Sequence, residues 1–157
     1  MANPALRIVI ADDEPITRMD LKEFLEERGY SVLGEATDGF DAIEMCKKIK
    51  PDLVLMDIKM PLLDGLSAAR ILQQEQIGAT IVLLTAYSER EFIDSAKEIG
   101  VSGYLVKPID EKSIIPCIEL AVARSREMQK LQKDIAKVEE RLESRSIIEK
   151  AKGKIME

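Results

Sequence analysis

The chain has 157 residues, 46% hydrophobic and 4% aromatic, with a net charge of −6 and neither histidine nor tryptophan. That length holds one ordinary domain and an appendage, and the missing histidine excludes a histidine triad, a histidine metal site and a histidine phosphocarrier. No apolar run approaches the roughly 20 residues that cross a bilayer, and the N-terminus MANPALRIVIADDE has no charged leader with a cleavage site, so a cytoplasmic protein without membrane attachment is expected.

Taken in order, LRIVIA (6–11) is an apolar run of strand type, buried on both faces. EPITRMDLKEFLEERG (14–29) places Ile16, Met19, Leu21, Phe24 and Leu25 at helical spacing and ends at Gly29, a helix terminator. A strand SVLGEA (31–36) and a helix over 38–50 capped by Asp38 follow. PDLVLMD (51–57) is a strand opened by proline, and DGLSAARILQQ (64–74) is a helix capped by Asp64. ATIVLLTA (79–86) is a strand. SEREFIDSAKEIG (88–100) is a helix with a Ser88–Glu91 capping box and Gly100 as its stop. SGYLVK (102–107) is the last strand, and Asp110 caps a long helical stretch with Pro116 inside it near its start, where the proline deletes one backbone hydrogen bond and should bend the helix locally. Cys46 and Cys117 fit no metal-ligand spacing and are expected to be buried free thiols.

Five continuously apolar strands alternating with five helices predict a doubly wound α/β fold, a five-stranded parallel sheet covered on both faces. Such sheets bind ligands at the carboxyl ends of their strands. Asp12 and Asp13 end the first strand, Asp57 the third, Thr85 the fourth and Lys107 the fifth. Alone, each has an ordinary explanation: a helix cap, a turn residue, a solvated lysine. Together they gather three carboxylates, a hydroxyl and an ammonium on one rim. Clustered carboxylates need a cation, and all-oxygen ligation suits Mg²⁺, which keeps waters and shares a phosphate. Two carboxylates can serve the metal while the third is a nucleophile toward a phosphoryl group.

The segments IVIADDEP, LVLMDIKMPLLDGL, IVLLTAY and GYLVKPID resemble a bacterial response-regulator receiver domain over residues 6–122. The resemblance implies a flavodoxin-like (βα)5 fold and phosphorylation of Asp57 by a sensor histidine kinase with Mg²⁺. It implies Asp12, Asp13, Asp57 and the backbone carbonyl of Lys59 as the metal set. It also implies Thr85 and Lys107 as switch residues gripping the phosphoryl group, Tyr104 as the aromatic that follows the threonine, and a cis peptide before Pro108. A receiver is not an enzyme beyond slow self-dephosphorylation. Met60, Pro61 and Gly65 read as shaping the loop after Asp57.

The domain reading is a receiver over 1–122, a helical coiled-coil linker over 123–143, and a short C-terminal helix over 144–157. Residues 1–124 hold 14 Lys and Arg against 22 Asp and Glu, whereas residues 125–157 hold 9 against 7. Met128, Leu131, Ile135, Val138 and Leu142 are spaced 3, 4, 3 and 4 apart, a seam for a parallel homodimer. Ser144 to Ser146 read as a break, and Ser146 with Glu149 as a capping box for a further helix. The final stretch, R-x-x-I-E-x-A-K-G-x-x-M, resembles the start of an ANTAR domain, an RNA-binding output module of transcription antiterminators. It is only the first helix of that module. The resemblance implies RNA hairpins as partners, and Lys150, Lys152 and Lys154 could contact their phosphates. Two other readings compete. One is a receiver and coiled coil without nucleic-acid output. The other is a haloacid-type phosphatase, which calls for a second aspartate where Lys59 stands.

Overall fold

The computed structural model describes residues 6–86 and 90–153, with side chains over 6–86 and 93–139. Strands and helices alternate as β1 (Arg7–Ala11), α1 (Pro15–Glu27), β2 (Ser31–Ala36), α2 (Gly39–Ile49) and β3 (Leu53–Asp57). They continue as α3 (Gly65–Gln74), β4 (Thr80–Thr85), α4 (Arg90–Ile99), β5 (Gly103–Val106) and α5 (Glu111–Gly153). All pairings are parallel, and the sheet order is β2-β1-β3-β4-β5. The chain divides into two compact units, the first ending at Val122 and the second starting at Ala123.

In the first unit, strand alternation builds a core on each face of the sheet. From β1, Val9 and Ala11 join Ile43, Cys46, Leu66, Ala69 and Ala96 of α2, α3 and α4. Ile8 and Ile10 join Leu21, Leu25, Ile114 and Ile118 of α1 and α5. The central strands β3 and β4 are buried throughout, as continuous apolar runs demand, whereas edge strands β2 and β5 are partly exposed.

Local chemistry sets the element ends. Asp38 and Asp64 cap α2 and α3 by accepting from the Asp41 and Ser67 N–H groups, each at 2.8 Å. Gly29, at φ +86°, ends α1, with the Gly29 and Tyr30 N–H groups donating to the Glu26 and Leu25 carbonyls. Asp110 accepts from the Lys112 N–H at the start of α5.

Three expectations need amendment. Only Leu21 and Leu25 of α1 are buried, while Ile16 and Met19 are 73% and 68% exposed. At 100° per residue those two fall on the face opposite Leu21 and Leu25, so the apolar spacing overcounted the core stripe. Cys46 is buried, and burial pushes its thiol up to about 12. Cys117 is only partly buried, because it faces edge strand β5, its sulfur 3.7 Å from the Tyr104 carbonyl. The break expected at Ser144–Ser146 is absent, since α5 runs unbroken to Gly153, and among the described residues no separate C-terminal helix follows it. Serine costs little inside a helix when strong helix formers flank it. Pro116 lies inside α5, as expected, and supplies no N–H to the carbonyl four residues back.

In the second unit, Met128, Leu131, Ile135 and Val138 are each more than half exposed along α5. The side chains of Leu142, Lys150 and Lys152, the whole of Lys154 and the Ser88 cap lie outside the described residues.

Candidate functional site

The sheet order reverses between β1 and β3, and that point opens a crevice at the strand ends. Asp12 and Asp13 follow β1 there, and Asp57 is the last residue of β3. The ladder carries on past the strands. The Asp12 N–H donates to the Ala36 carbonyl, the Ile58 N–H to the Leu84 carbonyl and the Lys107 N–H to the Thr85 carbonyl. These bonds fix the backbone under each rim residue. One carboxylate oxygen each from Asp12, Asp13 and Asp57 fall within 4.8 Å of one another. Asp12 is fully buried, Asp57 is 5% exposed, and Asp13 faces solvent.

Lys107 draws these acids together. Its Nζ donates to Asp57 Oδ2 at 3.0 Å and to Glu14 Oε1 at 2.9 Å. It also lies 2.9 Å from Asp12 Oδ2, at ion-pair distance but off the hydrogen-bonding direction. Burial disfavours the Lys107 ammonium, but the Glu14, Asp12 and Asp57 carboxylates outweigh that and hold its pKa above the ordinary lysine value. Burial pushes the Asp57 carboxyl up to about 6; the Lys107 hydrogen bond opposes that rise, and the charges of Asp12 and Asp13 add to it. Asp57 is therefore mostly a carboxylate at neutral pH, but a costly one.

The other Asp12 contacts orient it. Its Oδ1 accepts from the Glu14 N–H at 2.8 Å, and its carbonyl accepts from Arg18 Nη1 at 2.6 Å. That leaves Asp12 Oδ2 as the buried side-chain atom without a hydrogen-bond donor among the described residues. An anionic oxygen that accepts no hydrogen bond and is balanced only by its ion pair with Lys107, beside two further carboxylates, completes a donor set for a hard divalent cation. The residues present thus fit the Mg²⁺ that the resemblance implies.

Behind Asp57, the loop 58–64 turns tightly. The Gly65 N–H donates to the Ile58 carbonyl at 2.8 Å, and Gly65 packs against the Asp57 backbone so closely that a Cβ would collide with the Asp57 carbonyl oxygen. Gly65 and the Asp64 cap thereby shape the loop. Asp13, Lys59, Met60, Pro61, Ser67 and Arg70 line a cleft of ≈ 610 Å³ beside the acidic cluster. Thr85 is 1% exposed, and its hydroxyl lies 3.1 Å from the Ala86 carbonyl, to which it donates. Asp57 pairs with Leu84 across β3 and β4, so Thr85 stands one residue further along the rim. Tyr104 on β5 is 45% exposed, turned outward. The Lys107–Pro108 peptide is cis.

The fold brings together Asp12, Asp13, Asp57 and Lys107, with Thr85 beside them. Sequence reasoning passed over Glu14, which contacts Lys107 from 93 positions away. An exposed acid in a DDEP string reads as a helix start, and only the reach of its longer side chain distinguishes it.

A parallel sheet of this order with clustered acids, a threonine and a lysine at its switch crevice is the arrangement of a phosphorelay receiver. The response regulator receiver domain family matches residues 8–119, and the chain belongs to it. The chain is 49% identical to the transcriptional regulatory protein PdtaR of Mycobacterium tuberculosis over 147 residues, 94% of this chain and 71% of that protein. It is 36% identical to the chemotaxis protein CheY of Halobacterium salinarum over 114 residues, 73% of this chain and 94% of that one. A two-component response regulator of the LuxR family from Aurantimonas sp. SI85-9A1 superposes with a TM-score of 0.71 at 34% identity, covering 76% of this chain and 86% of that one. No helix among the described residues is long and apolar enough to cross a membrane.

Proposed function

We propose that this response regulator accepts a phosphoryl group on Asp57 from a sensor histidine kinase and passes the signal through α5 to an RNA-directed antitermination output. The observation that carries the first half is Asp57 itself: a nearly buried carboxylate, clustered with two others and hydrogen-bonded to Lys107 at 3.0 Å. An ionised Asp57 oxygen attacks phosphorus. The bond from phosphorus to the donor's imidazole nitrogen breaks, and its electron pair stays with the imidazole. Lys107 then pairs with a phosphoryl oxygen, and the Thr85 hydroxyl turns from the Ala86 carbonyl to donate to another. Asp12, Asp13, Asp57 and the Lys59 carbonyl would hold Mg²⁺, whose charge neutralises the phosphoryl oxygens. Tyr104 turns inward behind Thr85, and the phosphorylated conformer becomes the favoured one.

The role is that of an acceptor and not of a turnover enzyme, with at most slow self-dephosphorylation. Lys59 stands two residues after Asp57, where a haloacid-type phosphatase needs its second aspartate. Incubation with a small phosphodonor and Mg²⁺ separates the two. Stoichiometric labelling that decays slowly fits the acceptor, and rapid multiple turnover contradicts it. Lys107→Ala should fold and label but lose the response to labelling, read as molecular mass with and without phosphodonor. A phosphodonor-dependent mass change as large as in the parent protein would refute the switch role.

The exposed apolar row Met128, Leu131, Ile135 and Val138, continued by Leu142, supports a parallel homodimer through α5. Replacing Leu131 and Ile135 with lysine should leave a monomer, and an unchanged sedimentation profile would refute the seam. The RNA output rests on two supports. The ANTAR-like stretch carries Lys150, Lys152 and Lys154. The match to PdtaR, a transcriptional regulatory protein by name, covers 94% of the chain and so extends past the receiver. A second reading, a receiver and coiled coil without nucleic-acid output, is favoured by one observation: α5 runs unbroken where the output module's first helix would begin. Salt-dependent binding to RNA hairpins decides between them.

A further inference from the structure

Glu14 occupies the N-cap position of α1, yet its side chain makes no capping bond. Its carbonyl accepts from the Arg18 N–H, so the helix start is served by backbone. The carboxylate reaches instead across to Lys107, with Oε1 2.9 Å from Nζ. Glu14 and Lys107 together line a cleft of ≈ 360 Å³ with Thr17, Asp20 and Pro108. Of the three acids around the ammonium, Asp12 and Asp57 are buried, whereas the Glu14 side chain is 61% exposed. Asp12 and Asp57 belong to the acidic cluster. Glu14 lies outside that cluster, and its carboxylate pairs with the lysine.

An ammonium has three N–H donors. Here it donates to Glu14 and Asp57 and lies at ion-pair distance from Asp12, so an incoming phosphoryl oxygen competes with these carboxylates for the ammonium. The most dispensable is the exposed one, since its carboxylate is rehydrated at little cost once released. We infer that Glu14 is a positioning residue that holds Lys107 in the unphosphorylated receiver and yields it to the phosphoryl group, so that it sets the threshold of the switch. The inference rests on the reading of Asp57 as phosphoacceptor and of Lys107 as the group that grips the phosphoryl oxygens. A contact present in one conformer and absent from the other biases the equilibrium by its own strength. An exposed ion pair of this kind is worth about a two- to fivefold shift.

The test uses the full chain with beryllium trifluoride, a tetrahedral stand-in for a phosphoryl group on a carboxylate, at saturating Mg²⁺. Calorimetry gives its affinity for the parent protein, Glu14→Gln and Glu14→Asp, each also in a Lys107→Gln background. Circular dichroism melts check that every variant is folded. The latch predicts about two- to fivefold tighter binding for Glu14→Gln. Glu14→Asp, which keeps the charge but is one methylene too short to reach Nζ, should match it. Both gains should vanish without Lys107. If Glu14→Asp instead behaves like the parent, or the Glu14→Gln gain survives in Lys107→Gln, the acid merely repels the anion and the latch is wrong. Unchanged or weaker binding by Glu14→Gln also overturns it. A parent protein that binds no beryllium trifluoride overturns the phosphoacceptor reading together with the latch.

Discussion

Asp57→Asn is expected to abolish phosphorylation and, in the metal-free protein at pH 7.5, to raise the unfolding free energy by about 1–3 kcal/mol. Labelling is lost because an amide has no carboxylate oxygen to attack phosphorus, and the stability gain has a separate origin. Burial and the neighbouring Asp12 and Asp13 push the Asp57 carboxyl from its ordinary 3.8 to about 6, against the pull of Lys107. A carboxyl raised in the folded state binds its proton more tightly there than in the unfolded chain. Well below pH 3.8 it is protonated in both states and costs nothing. As pH rises through the window from 3.8 to about 6, the unfolded chain releases the proton first and stability falls. Above that window the full cost remains. Each pKa unit corresponds to about 1.4 kcal/mol, and access of solvent at the rim reduces the total. Asparagine keeps an acceptor for Lys107 but carries no charge, so it removes the cost. Urea unfolding at pH 7.5 and pH 4.5, with chelator present, checks the sign: a clear gain at the higher pH and a small one at the lower. A variant less stable than the parent, or a gain equal at both pH values, would contradict this account of the site.

Gly65→Ala is expected to destabilise the fold by about 1–3 kcal/mol, toward the upper end of the overpacking range, and to slow labelling of Asp57 by up to about 100-fold. The added Cβ would collide with the Asp57 carbonyl oxygen, and it would sit 2.9 Å from the Asp57 carbonyl carbon and 3.0 Å from the Ile58 Cα. All three are backbone atoms, which cannot swing aside as a flexible side chain would. Relief therefore moves the segment that carries the nucleophile. A shift of about 1 Å at a reacting group is enough to cost two orders of magnitude in rate. The urea midpoint and the initial labelling rate, measured on the same preparation, test both halves. An alanine variant with parental stability and rate would show that the loop gives way without moving Asp57.

Much of this site was legible before any coordinates. Continuous apolar runs marked buried parallel strands, and polar residues at their ends could only gather on one rim, which is where Asp12, Asp13, Asp57, Thr85 and Lys107 stand. The caps Asp38 and Asp64 were legible because a short acid before a helix has one local role. Other features depend on three-dimensional direction. Ile16 and Met19 share the spacing of core residues yet lie on the outer face of α1. Nothing in the residue order shows that Asp12 keeps an undonated oxygen, or that Glu14 reaches Lys107. Ser144 and Ser146 carry the chemistry of caps, but a helix of strong formers runs through them.

Mass spectrometry of the intact chain, incubated with acetyl phosphate and Mg²⁺ and then mapped by peptide, tests the central claim most directly. The account predicts a single phosphoryl adduct, located on Asp57, lost slowly on standing and absent from Asp57→Asn. No adduct at all, an adduct on another residue, or an adduct that Asp57→Asn retains in full would contradict it.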